Sequence, residues 1–203
     1  MLRYLEGSIG LGLLFTPAPS DLALTVFTDA DHAGCKLTRK STNGLCVFLG
    51  SNLLVWSSRK QLVVARLVGE AEYRAMAQGV TEVIWLQSLF TELGYSLSQV
   101  PVLWCDNLAA KSIAENPIFH SRTKHIEIDV HFVREKVENG AIDIRYVPTM
   151  YQVADIFTKG LSRDRFSFLC SKLGLQWSPV HSVTPNADVT TKLRGTVEGI
   201  EAC

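Results

Sequence analysis

No charge of one sign dominates this chain. Its 203 residues carry 20 Lys and Arg against 20 Asp and Glu, so the formal net charge is zero. That balance excludes an overall basic field, and any nucleic-acid contact must come from a local patch. Paired cysteines are missing as well. The five present, Cys35, Cys46, Cys105, Cys170 and Cys203, are scattered and odd in number, with no CxxC pair. They argue against a disulfide frame or a thiolate zinc site and fit a cytosolic or nuclear protein rather than a secreted one. No stretch has the length of a membrane span, and Met1-Leu2-Arg3 does not open a signal peptide. What the chain does have is 47% hydrophobic against 20% charged residues, enough for one sizeable core with extensions.

Proline and glycine punctuate the sequence. Pro17-Ala18-Pro19-Ser20 reads as a linker, so residues 1–20 are expected to precede a single domain at 21–175. The segment Met1–Phe15 looks like the tail of a helix and a strand, as though continuing from something longer. Residues 176–203 turn to Ser, Thr, Pro, Gly and mixed charge and read as a disordered tail. Within the domain, Leu22–Asp29, Gly44–Leu49 and Leu53–Ser58 are apolar or β-branched runs, predicted as strands, the last two joined by a tight hairpin at Gly50-Ser51-Asn52. Gly69–Leu93 then changes period from 2 to 3.6, with Tyr73, Ala77, Val80 and Ile84 on one helical stripe. Val100–Cys105 and Ile142–Val147 are further strands; Asn107–Glu115, Ile126–Asn139, Val153–Lys159 and Arg165–Leu173 are helices. The order predicts an α/β fold: a five-stranded mixed sheet, three antiparallel strands and then parallel ones, flanked by helices. Trp56, Trp85 and Trp104 read as core.

Acids end the buried strands. TVFTDADHAG places Asp29 and Asp31 at the end of the first, and VLWCD places Asp106 at the end of the fourth. Asp155 lies on the short helix VADIFTK, and the long helix opens with Glu70 and Glu72. At 100° per residue those two point about 200° apart and cannot both serve one site. Glu70 extends the Tyr73 stripe and Glu72 falls off it, so the pattern leans to Glu70. Asp31 reads as a turn acid. Four crowded carboxylates, Asp29, Glu70, Asp106 and Asp155, would raise one another's pKa values, and hard divalent cations remove that penalty. Oxygen-only ligation points to Mg²⁺ or Mn²⁺, and two such ions about 4 Å apart support in-line attack on a phosphodiester. Arg39, Lys40, Asn43, Arg122 and Lys124, with Arg59 and Lys60, are candidate nucleic-acid contacts. His120, His125 and His131 read as surface or helix-face residues.

The stretches TVFTDADHAGC, RKSTNGLCVFLG, GEAEYRAMAQGVTEVIWLQSL, LWCDNLAAKSIAENPIFHSRTKHIEIDVHFVREKV and IRYVPTMYQVADIFTKGL identify a resemblance that spans roughly residues 22–175. The chain resembles the ribonuclease H domain of copia-type long-terminal-repeat retrotransposon polyproteins, and MLRYLEGSIGLGLLF resembles the segment that joins the reverse transcriptase to it. The resemblance implies Mg²⁺-dependent cleavage of the RNA strand of RNA–DNA hybrids by acids matching Asp29, Glu70, Asp106 and Asp155, beside a reverse transcriptase in cis. It prefers Glu70 to Glu72, as the periodicity does. The chain departs from the pattern at Leu67-Val68-Gly69, where the family carries a Ser/Thr-rich lead-in, at Tyr151 in place of an acid, and at Gly160 in place of proline. No histidine falls between Val147 and Asp155, where other ribonucleases H carry one. Those departures keep a second reading alongside the first, an inactive remnant that binds nucleic acid. An integrase-type transferase fits less well, because integrases use a Glu where this chain has Asp155.

Overall fold

β2 (Leu24–Asp31) forms the middle of the sheet, buried on one face, half-buried on most of the other and hydrogen-bonded on both edges. This computed structural model describes residues 8–17, 22–115 and 126–177. β2 pairs antiparallel with β3 (Thr42–Leu49), which pairs antiparallel with β4 (Asn52–Lys60). On its other edge it pairs parallel with β5 (Val102–Cys105), which pairs parallel with β6 (Asp143–Tyr146). The five-stranded order β4-β3-β2-β5-β6 is the mixed sheet expected. Four helices accompany it: α1 (Val68–Glu92), α2 (Leu108–Glu115), α3 (Glu127–Glu138) and α4 (Arg163–Lys172). The short helix expected over Val153–Lys159 is instead a tight 3₁₀ segment, Val153–Phe157, preceded by another at Thr149–Tyr151. Pro148 leads into the first of them, and so few residues hardly repay nucleating an α-helix.

Period-2 alternation divides the core. In β3, Leu45 and Val47 pack with Tyr73, Met76, Val80 and Val83 on the α1 side, whereas Cys46 and Phe48 pack with Val153 and Leu173 on the other. Burying each such aliphatic side chain contributes about 1.5–3 kcal/mol. Two of the tryptophans expected inside are not there: Trp56 is 53% and Trp85 55% exposed. β4 is an edge strand and Trp85 lies on the outer side of α1, so apolar character alone could not bury them.

One small sheet was not anticipated. β1 (Leu11–Leu13) pairs antiparallel with β7 (Leu175–Trp177), and Leu14 N–H donates to Gly174 O at 3.0 Å. Thr16 exchanges two 2.8 Å hydrogen bonds with the side chain of Asn52 in the β3–β4 hairpin. Residues 8–17 thus pack against β7 and the β3–β4 hairpin. The linker residues 18–20 and the tail from 178 lie outside the described residues. Among the described residues no helix is long and apolar enough to cross a membrane.

Candidate metal centre

Parallel pairing brings two of the acids together. Thr28 of β2 is in register with Cys105 of β5, so Asp29 and Asp106, each one residue further on, leave the sheet side by side. The start of α1 supplies the third. Carboxylate oxygens of Asp29, Glu72 and Asp106 all lie within 4.8 Å of one another. The glutamate is Glu72, not Glu70. The stripe of α1 that faces the sheet is Glu72, Met76, Gly79 and Val83, one position away from the stripe singled out by periodicity. Gly79 decides this: a Cβ there would sit 2.6 Å from Thr28 Cγ2 and 3.1 Å from Leu103 Cδ1, so only glycine lets the helix lie this close. Tyr73, on the neighbouring stripe, feels Arg134 and Asp129 of α3 instead.

Glu70 has a different task. Its Oε2 accepts from Arg66 N–H at 2.8 Å, just before the helix start, where Leu67 as N-cap offers no side-chain bond. The bond goes to the residue before the N-cap, so it anchors the entry into the helix rather than capping it, and the acidic side chain suits the positive helix end. Asp31 lies at the end of β2 with its carboxylate folded over Gly34, outside the acid group.

Asp155 stands next door, buried, on the 3₁₀ segment. Its carboxylate is held by Lys159 Nζ at 2.7 Å on Oδ1 and by Arg165 at 3.2 Å on Oδ2. Lys159 also reaches Asp29 Oδ1 at 3.1 Å, while Thr158 Oγ1 donates to Asp29 Oδ2. Thr149 Oγ1 donates to Asp106 Oδ2 at 2.9 Å. The segment fits under the sheet because residue 44, opposite Asp29, is glycine; a Cβ there would lie 2.8 Å from Ala154 O. Sequence reading missed Thr149, Thr158, Lys159 and Arg165. Only Lys159 had a visible signal, since it stands four residues after Asp155 and falls on the same face of a helical turn.

The electrostatics ask for a cation. Burial, then the charges of Asp29 and Asp106, push the Glu72 carboxyl up to about 9, against the pull of Lys159 and the Ala30 N–H. Burial also raises Asp29, despite the Thr158 and Lys159 hydrogen bonds. Burial opposes the charge on Lys159, yet Asp155 and Asp29 outweigh it and lift its pKa above the usual lysine range. Glu72 Oε2 is buried with no hydrogen-bond partner. Three hard oxygen donors, one of them orphaned, fit a divalent ion such as Mg²⁺ or Mn²⁺. Arg39 is exposed and Lys40 half-buried, on the loop that leaves β2 beside these acids, and Asn43 is buried. Arg122 and Lys124, with His120 and His125, lie outside the described residues. His131 is exposed on α3.

No protein-family model matches the chain. A retrovirus-related Pol polyprotein from transposon RE1 of Arabidopsis thaliana is 46% identical over 179 residues, 88% of this chain. The chain's homologues are retrovirus-related Pol polyproteins from copia-type transposons. A Pol polyprotein from transposon TNT 1-94 of Nicotiana tabacum is 36% identical over 173 residues, 85% of the chain. This Pol segment spans only 12% of the first polyprotein's length and 13% of the second's. Among solved structures, LC11-RNase H1 in complex with an RNA/DNA hybrid aligns with a TM-score of 0.51 at 13% identity, over 66% of this chain and 93% of that one. Another structure of LC11-RNase H1, isolated from compost, gives 0.50 at 14% identity over 67% and 92%. The Pol segment has an RNase H-like fold.

Proposed function

We propose that this Pol segment is a ribonuclease H, a metal-dependent endonuclease that cuts the RNA strand of RNA–DNA hybrids. The observation that carries the reading is the convergence of Asp29, Glu72 and Asp106 at the carboxyl ends of two parallel strands, where folds of this kind put their chemistry. These three residues would hold the ion, which when bound supplies charge stabilisation at a phosphodiester. Thr149 and Thr158 orient the carboxylates of Asp106 and Asp29. Lys159 and Arg165 hold Asp155 fixed beside the site. Arg39 and Lys40, on the loop after β2, would contact the backbone of a bound duplex. Within a full polyprotein, the hybrid would come from a reverse transcriptase on the same chain.

The test is cleavage of an end-labelled RNA–DNA hybrid with Mg²⁺ or Mn²⁺ by the folded chain, beside Asp106→Asn. Cleavage that the variant abolishes is the expected result; equal cleavage by both would sink the assignment. A second reading, a segment that binds hybrids without cutting, draws on the engagement of Asp155 by two cations. It predicts salt-dependent binding with no Mg²⁺-dependent cleavage in the same assay.

A further inference from the structure

The face of the sheet turned away from α1 is only partly covered. Pairing runs in register from Cys46 through Phe27 and Trp104 to Arg145, so these residues form one row across that face. Val153 and Leu173 close the row at its Cys46 end, but Phe27 and Trp104 are half-buried. Their rings stack, with centroids 6.5 Å apart and planes 18° from parallel, and make a flat floor. Phe168 of α4 and Tyr151 and Val153 of the 3₁₀ segments stand around it, and the cavity between them measures about 330 Å³. That is room for a two-ring molecule.

Three cations lie over the aromatic rings here. Arg145 is 5.9 Å from the Trp104 centroid but is paired with Asp143 at 2.7 Å. Arg165 is 5.5 Å from the Phe168 centroid but is paired with Asp155 at 3.2 Å. Lys172, four residues after Phe168, lines the cavity with its Nζ 5.3 Å from the Phe168 centroid. It has no carboxylate partner among the described residues.

A flat aromatic floor between apolar walls selects a planar ring, and an ammonium without a partner at the edge selects an anion. We propose that this cavity binds a small aromatic carboxylic acid, two fused rings lying on Phe27 and Trp104 and the carboxylate meeting Lys172 Nζ. A nucleotide also joins a ring to an anion. Its base edge, however, would bring donors and acceptors against walls that offer only the Tyr151 hydroxyl and the Trp104 N–H. Phe27, Trp104 and Val153 each stand two residues before an acid, Asp29, Asp106 and Asp155 in turn, and Tyr151 stands two after Thr149, which holds Asp106. None of those acids lines the cavity. An occupant therefore rests on the segments that carry the metal centre without competing for its ligands. The site stands whether or not the chain cuts hybrids.

The test is titration calorimetry of the 203-residue chain with naphthylacetate, its neutral amide and AMP. EDTA in the buffer keeps the carboxylate from reaching the protein through a bound metal. The acid should bind saturably at one site and shift the Trp104 indole N–H signal in heteronuclear NMR, a signal assigned with Trp104→Phe. It should bind roughly tenfold tighter than the amide, as for a hydrogen bond between charged groups. Lys172→Met, at an exposed position, should bring acid and amide to equal affinity, and Lys172→Arg should restore the difference. Phe168→Ala should weaken both ligands. No saturable binding, an acid no tighter than its amide, or an advantage that survives Lys172→Met would each overturn the proposal. Affinities unchanged in Phe168→Ala would do the same. AMP binding tighter than the acid would also overturn it and make the cavity a nucleotide site.

Discussion

Lys159 Nζ lies 2.7 Å from Asp155 Oδ1 and 3.1 Å from Asp29 Oδ1, so one ammonium joins acids from opposite ends of the domain. Asp29 is fully buried whereas Lys159 is 38% exposed, which makes the lysine a resident counter-ion open to solvent. It is a cation built into a site whose other members await one.

Replacing that ammonium should separate its two effects. Lys159→Met is expected to lower metal-free stability by no more than about 3 kcal/mol, since solvent screening discounts the pair. It should also tighten Mg²⁺ binding by removing a competing cation. Thermal melts with and without Mg²⁺, together with titration calorimetry, read both; equal melting points and equal affinities would refute the counter-ion role.

Glu72 should give the metal-free protein a pH dependence. Its folded pKa of about 9 lies above the ordinary carboxyl value of 4.5, so between those limits the folded state binds more protons than the unfolded. Stability from this group is therefore present below pH 4.5 and is lost as pH rises towards about 9. In chelator, Glu72→Gln should melt higher than wild type at pH 8 and show a flatter profile. Added Mg²⁺ should stabilise wild type far more than the variant.

The neighbouring glutamate should behave oppositely. Glu70→Ala removes the first-turn carboxylate that holds Arg66 N–H and is expected to cost about 0.3–1.5 kcal/mol while leaving Mg²⁺ binding and hybrid cleavage intact. Loss of Mg²⁺ affinity in a folded Glu70→Ala chain would return Glu70 to the metal site.

Close approach of α1 to the sheet can be tested at Gly79. A methyl group there meets Thr28 Cγ2 and Leu103 Cδ1. Gly79→Ala should destabilise the fold by about 1–3 kcal/mol through overpacking, even though alanine is the better helix former. Denaturant melts give the value, and a more stable variant would contradict the packing described.

Cys35 should be the reactive thiol among the described cysteines. Hydrogen bonding from Thr38, then Lys60, lowers its pKa to about 6, whereas burial lifts Cys105 to about 12 and raises Cys46 and Cys170. Alkylation at pH 7 followed by peptide mapping should find Cys35 first among these four, and Lys60→Ala should slow it.

Strand runs, a change of period at Gly69 and acids at strand ends were enough to read the five-stranded mixed sheet and two of the three clustered acids. Asp29 and Asp106 were legible because each directly follows an apolar run, and parallel neighbours necessarily bring such ends together. The third was not. Periodicity reports that a helix buries one side but not which of two adjacent stripes meets the sheet, and here a glycine contact with Thr28 made that choice. Nor could local pattern pair β1 with β7, place Arg165 on Asp155, or set Gln61 against Asn43. No strand or helix period relates those residues, and only packing brings them within reach. Local chemistry in the sequence determined the elements and the kind of site; the three-dimensional arrangement alone decided which carboxylates share it and which cations guard it.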